Sequence, residues 1–270
     1  MAVPTGQAVL LDLATDAAQR AADLLLDGLG RARITVETKS TATDMVSEMD
    51  RASERLIVST LLAARPDDGL VAEEGSASPG TSGLRWVIDP LDGTTNYLYG
   101  HPGWAVSIAA EDDAGVVVGV VIDAMHRDVF TATRGGGARR NGEVIACSSL
   151  DNVGTALLAT GFGYAAQRRR AQAQVLVELL PRIRDIRRMG AAAVDLCSVA
   201  CGRVDGYFER GLAWWDLAAG GLIAAESGAL VSAINGGAVG PAAGSIVAAG
   251  PGIFNTLRDL LHSLGTHDVP

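Results

Sequence analysis

An apolar run, Leu84 to Ile88, ends in Asp89-Pro90-Leu91-Asp92-Gly93-Thr94-Thr95-Asn96, and this junction constrains the chain more than any other stretch. The run reads as a short buried strand. A strand end is a rigid place from which a loop can aim side chains into a cleft. Two carboxylates three positions apart repel each other and resist ionisation unless a cation lies between them. Gly93, Thr94 and Thr95 then offer backbone N–H groups and hydroxyls, which suit an anion. A metal beside a phosphate is the first expectation. The plainer alternative is that Asp89 and Asp92 only shape a turn around Pro90.

Two more acids occupy similar places. Glu73 ends the strand-like run Gly69 to Ala72, and Asp216 opens a helix after Trp214-Trp215. Asp216 has the alternative of acting only as a helix N-cap, and Glu73 that of a surface acid. Oxygen donors without paired histidines favour Mg²⁺ or Mn²⁺ over Zn²⁺. His101, His126, His262 and His267 are scattered, and no Ser-His-Asp set is visible, so a metal-activated water is the economical nucleophile.

The flanking pattern predicts an α/β chain. Helices are expected over residues 8–28, from near Asp44 to Ala64, and over 165–180, 191–200, 215–227 and 254–264. Strands are expected over 34–38, 105–110, 116–122, 129–133, 156–160, 205–209 and 245–249. Residues 75–83 read as a mobile loop, Gly135-Gly136-Gly137 as a turn, and Arg168-Arg169-Arg170 as a solvated helix face. Val9, Leu10, Leu13, Ala17, Ala21, Leu24 and Leu25 form the expected inner stripe of the first helix; Met45, Met49, Ala52, Leu56 and Leu61 form that of the second. The texture changes near residues 145–155, which divides the chain into an N-terminal α+β part, 1–150, and a C-terminal α/β part, 151–270.

Composition narrows the function. With 22 basic and 31 acidic residues in 270, the net charge of -9 disfavours nucleic-acid binding through a basic face. An acidic protein that binds an anionic substrate needs cations to reverse the local sign. No apolar run approaches the ~18–20 residues of a membrane span, and no signal peptide is evident. Three cysteines, Cys147, Cys197 and Cys201, suggest a reducing cytoplasm.

Glu73-Glu74, then Trp86 to Asn96, then Trp215-Asp216-Leu217-Ala218-Ala219-Gly220 together resemble the inositol monophosphatase family, and Lys39 to Asp50 resembles its upstream segment. The resemblance implies a layered αβαβα sandwich of the inositol monophosphatase and fructose-1,6-bisphosphatase type, usually a homodimer. It also implies hydrolysis of small phosphate monoesters with two or three Mg²⁺ ions, and sensitivity to Li⁺. Carried over by position, Glu73, Asp89 and the carbonyl of Leu91 bind one ion, and Asp89, Asp92 and Asp216 a second. Asp44 with Glu73 touches a third. Glu73 and the Thr94–Asp50 pair orient the attacking water. Gly93, Thr94 and Thr95 face the phosphate, while Asp92, Asp216, Gly190, Ala192 and Glu209 meet the polyol. The resemblance puts inositol 1-phosphate first as substrate. The rim departs from the family pattern at Arg210, Ala213 and Trp214, which keeps histidinol phosphate or a broader set of sugar phosphates open. A regulatory role beside the transcription machinery, without chemistry, is the alternative of another class.

Overall fold

The computed structural model describes residues 6–29, 36–38 and 45–265, with the backbone alone over 36–38 and 45–47. In chain order the elements are α1 Gln7–Gly28, β1 Val36–Thr38, β2 Met45–Ser47, α2 Glu48–Ala64, β3 Gly69–Ala72, β4 Ala77–Ser78, β5 Arg85–Asp92 and α3 Thr94–Tyr99. Next come β6 Ala105–Asp112, β7 Gly115–Asp123, β8 Asp128–Thr133, β9 Gly137–Arg140, β10 Glu143–Val144, β11 Leu157–Thr160, α4 Ala166–Leu179 and β12 Asp185–Arg187. The chain closes with α5 Ala192–Ala200, β13 Gly206–Arg210, α6 Trp214–Glu226, β14 Leu230–Ser232, β15 Ser245–Ala249 and α7 Pro251–Ser263.

Among the described residues, eight strands form one sheet in the order β10-β9-β8-β7-β6-β5-β3-β4, and five form another in the order β12-β11-β13-β15-β14. Strand β5 is buried on both faces, which is why it reads as a continuous apolar run. Its side chains alternate between two cores. Trp86 and Ile88 pack with α1 and α2, whereas Val87 packs with α5 and α6. The same alternation sends Val106, Ile108, Val118 and Val120 outward and Ala105, Ala109 and Val121 inward. Small residues on the inner face let α6 approach closely. A Cβ on Gly119 would stand 2.8 Å from the carbonyl oxygen of Ala219. The middle helices α5 and α6 also cover the second sheet through Leu196, Val199, Leu217 and Ala224. Helix α7 closes its far face through Ile253, Phe254 and Leu257. The layers therefore run α1/α2, large sheet, α5/α6, small sheet, α4/α7, the expected αβαβα sandwich.

Several expectations shift. The second helix begins at Glu48 rather than near Asp44, because Met45–Ser47 pairs antiparallel with Val36–Thr38. Its inner face is Asp50, Ser53, Glu54, Ile57 and Leu61, not the stripe through Ala52 and Leu56. In α1 the buried face turns toward Ala14, Ala18 and Ala22, leaving Val9 exposed. The stretch 75–83 contains β4, and Thr81 and Ser82 donate their N–H groups to the Asp67 carbonyl, so it is tied down rather than loose. Asp44 and Lys39 lie outside the described residues.

Gly119→Ala should destabilise the protein by about 1–3 kcal/mol, because only backbone of α6 can yield to the new methyl. Urea midpoints of the two proteins check this; equal midpoints would show that α6 and β7 are not in contact.

Candidate active site

The site follows from sheet topology. Strands β3 and β5 run parallel, with Ala72 opposite Ile88. The next residues, Glu73 and Asp89, therefore emerge side by side at the carboxyl ends of two neighbouring strands. The Glu73 N–H donates to the Ile88 carbonyl at 3.2 Å, which fixes the exit. Glu54 of α2 holds the turn beyond, its carboxylate accepting from the N–H groups of Glu74 at 2.7 Å and Ser76 at 3.0 Å.

Against β6 the register of β5 slips between Asp89 and Asp92, a bulge that contains Pro90. Proline has no N–H to donate, so it belongs in such a break. The Pro90 carbonyl accepts from Ser53, and the Leu91 N–H donates to Asp89. Asp92 turns to the start of α5, where the N–H groups of Ala192 and Ala193 donate to it at 3.3 and 2.7 Å. Gly93 follows at φ +85, a left-handed conformation in which any Cβ would also meet the Gly103 carbonyl at 2.8 Å. Thr94 then starts α3. Its hydroxyl lies 3.1 Å from the Leu91 carbonyl and 3.3 Å from Asp50 Oδ2, one proton between two acceptors. Across the site Asp216 is the third residue of α6 rather than its cap, and accepts from the Ala213 N–H at 2.6 Å.

Glu73, Asp89, Leu91, Asp92, Gly93, Thr94, Gly190, Ala192, Glu209 and Asp216 line one cleft of about 280 Å³. Asp50 is buried behind Thr94, and Thr95 sits in α3 away from the cleft lining. Asn96, beside it, braces the turn, since its amide donates to the Gly103 and Met189 carbonyls, both at 2.6 Å.

The electrostatics are those of acids short of positive charge. Burial, then repulsion by Glu73, Asp92, Asp216 and Asp50, pushes Asp89 well above the carboxylate range. Burial and Asp216 do the same to Asp92, despite the Ala193 N–H. Asp216 rises to about 7, by burial first and then Glu73, while hydrogen bonds that it accepts from the Ala213 N–H and from Asp89 hold it back. Among the described residues no three His, Cys, Asp or Glu side chains close around a point as a finished coordination sphere. Their chemistry nevertheless fits a hard divalent cation: clustered carboxylates and a backbone carbonyl, all oxygen, with more negative charge than the burial can sustain.

On the far wall Glu209 is raised to about 7 by burial, against the pull of the Tyr207 hydroxyl at 2.7 Å and of Arg188. Behind it Asp195 is fully buried, neither carboxylate oxygen has a hydrogen-bond partner, and burial with Glu209 and Asp92 raises it well above its usual range. Asp195, Tyr207 and Arg188 escape a reading of the sequence, since each reaches the site only through tertiary packing. Glu54 had a signal, lying one helical turn after Asp50 on the same face.

A family model for the inositol monophosphatase family matches residues 7–264. The chain belongs to this family. Inositol monophosphatases are metal-dependent phosphoric monoester hydrolases, and this protein is an enzyme of that class. It is 43% identical over 248 residues to the Mycobacterium tuberculosis protein named inositol-1-monophosphatase SuhB, covering 87% of this chain and 84% of that one. It is 38% identical over 250 residues to the Escherichia coli protein named Nus factor SuhB, covering 92% and 94%. The crystal structure of the Bartonella henselae extragenic suppressor protein suhB superposes with a TM-score of 0.89 at 35% identity, over 94% of this chain and 98% of that one.

A carboxyl whose folded value exceeds its unfolded one stabilises fully below the unfolded value, and that contribution is lost as pH rises through the folded value. For Glu209 the window runs from 4.5 to about 7. EDTA-treated protein should therefore lose stability across this window, and Glu209→Gln should make the loss shallower. Urea midpoints at several pH values test it; parallel pH profiles for the two proteins would contradict it.

Proposed function

We propose that the protein hydrolyses inositol 1-phosphate to inositol and phosphate, using Mg²⁺. The observation that carries this reading is the convergence of Glu73, Asp89, Asp92 and Asp216 on one cleft with the Gly93-Thr94 turn and Glu209. Glu73, Asp89, the Leu91 carbonyl, Asp92 and Asp216 are the residues that would hold two ions, and Asp44 would contribute to a third. When bound, the cations offset the phosphoryl charge and make a water more acidic.

The chain's own groups do the rest. The N–H groups of Gly93 and Thr94 point the phosphate. Glu73 and the Thr94–Asp50 pair, with the Thr94 hydroxyl 3.3 Å from Asp50 Oδ2, would orient the attacking water and take the one proton it loses. No side chain is set to attack phosphorus, so displacement proceeds in line without a phosphoenzyme. Asp92 and Glu209, with the backbone at Gly190 and Ala192, receive the polyol hydroxyls. Glu209, poised near neutrality, accepts or donates as the hydroxyl requires.

Histidinol phosphate or a broader set of sugar phosphates are the competing substrates, because Arg210 and Ala213 shape the rim together with Leu212, whereas Trp214 turns away and donates its indole N–H to Glu111 at 2.9 Å. A second reading, a regulatory role in assembly, rests on the name Nus factor carried by the Escherichia coli relative. The intact acid set favours catalysis. We also infer a homodimer, as the resemblance implies, sensitivity to Li⁺, and a cytoplasmic location, supported by three cysteines that form no disulfide.

Purified protein should release phosphate from inositol 1-phosphate with Mg²⁺ and stop when EDTA is added. Release that persists in EDTA defeats the reading. Asp92→Asn should lower kcat by about 10³, since it weakens an ion expected to contribute several kcal/mol to the transition state. A rate within a few-fold of the parent's would remove Asp92 from its assigned role.

A further inference from the structure

Helix α2 turns a short polar face toward the interior. Asp50, Ser53 and Glu54 stand at the spacing that puts side chains on one side of a helix, and all three are buried. Each reaches a different segment of the site. Asp50 lies behind the Thr94 hydroxyl. The Ser53 hydroxyl donates to the Pro90 carbonyl at 2.8 Å, inside the β5 bulge and between Asp89 and Leu91. Glu54 uses both carboxylate oxygens on the turn that follows Glu73, accepting from Glu74 and Ser76.

Neither Ser53 nor Glu54 lines the cleft. A helix that only packed would place apolar side chains here. Glu54 also adds a buried carboxylate near a cluster already crowded with acids, which is unfavourable unless its hydrogen bonds are made. What the two side chains supply is alignment. Pairing of β3 with β5 ends at Ala72 opposite Ile88. Beyond that point β3 runs into its turn and β5 into its bulge, and α2 holds both from behind. Glu73 repels Asp89, so the two segments tend to spread when no cation lies between them. Tying both to one helix opposes the spreading. Mg²⁺ needs such order, because it accepts oxygen ligands only in near-octahedral geometry at about 2.0–2.1 Å.

We propose that Ser53 and Glu54 are positioning residues for the metal ions: α2 acts as a template that holds the Glu73 turn and the Asp89–Leu91 bulge in mutual register. This rests on the metal reading of the cleft and goes beyond it, since it assigns part of the cation affinity to side chains that touch no cation.

The test is calorimetric titration of EDTA-treated, full-length protein with Mg²⁺, beside Ser53→Ala, Glu54→Gln and Arg55→Gln. Glutamine keeps the size of Glu54 but turns an amide NH₂ toward one of two N–H donors. Ser53→Ala and Glu54→Gln should each raise the Kd for Mg²⁺ by about tenfold or more, the scale set by losing groups that orient a ligand. Arg55→Gln, on the exposed side of α2, should keep the parent value. Ser53→Thr retains the hydroxyl and should also stay near the parent; a side chain that only filled space would suffer more from the added methyl than from alanine. In phosphate release the two weakened variants should need more Mg²⁺ for half-maximal rate, yet come within a few-fold of the parent kcat at saturation. Thermal unfolding in EDTA establishes that each variant is folded, and Ser53→Ala alone decides if Glu54→Gln is not. Parent-like Mg²⁺ affinity in the folded variants overturns the proposal. Absence of saturable Mg²⁺ binding by the parent would instead defeat the metal reading beneath it.

Discussion

Mutual repulsion among buried carboxylates is the constraint around which this structure is arranged. Two like charges about 4 Å apart cost about 4 kcal/mol at the effective dielectric of a protein surface. A few such pairs rival the ~5–15 kcal/mol that holds a whole domain together. Asp89, Asp92 and Asp216 therefore cannot all be charged beside Glu73 without compensation. Their upward shifts, caused first by burial, express that deficit. Backbone N–H groups from α5 and from Ala213 supply part of the compensation. Divalent cations are the natural source of the remainder.

The layered fold makes such a concentration possible. Each acid is anchored on a rigid element: Glu73 after β3, Asp89 and Asp92 around the β5 bulge, Asp216 in the first turn of α6. The elements meet because the middle helices are shared by both sheets. Small residues, Ala105, Ala109 and Gly119 against Ala218 and Ala219, bring the large sheet within reach of α6. The acids of the cleft thus come from the ends of the first sheet and from α6, and Glu209 and Arg210 from the second sheet.

What is legible in the sequence is the part carried by local pattern. The apolar run into Asp89 and Asp92 announces a strand end with two acids, and both line the cleft. Alternating strands and helices in the second half announce the α/β layer. The inner face of α2 is easily misread because Asp50, Ser53 and Glu54 are polar, and polar residues face inward only when a site lies behind them. Short strands such as β12 and β14 are invisible because their residues are partly exposed and carry little periodicity. Arg168 looks like a surface charge, since nothing near it in sequence reveals that Gly211, far along the chain, opens a notch for it. Asp195 sits in an alanine-rich helix, and its burial against Glu209 is a fact of tertiary packing.

The most direct test of the central claim is calorimetric titration of EDTA-treated protein with Mg²⁺ near pH 6.5, repeated in two buffers of different ionisation enthalpy. A carboxyl group poised near 7, as Asp216 is, holds protons that a cation must displace. Saturable Mg²⁺ binding accompanied by proton release, visible as a buffer-dependent heat, is the result expected. Absence of binding, or binding with identical heats in both buffers, would contradict the view that cations neutralise this carboxylate cluster.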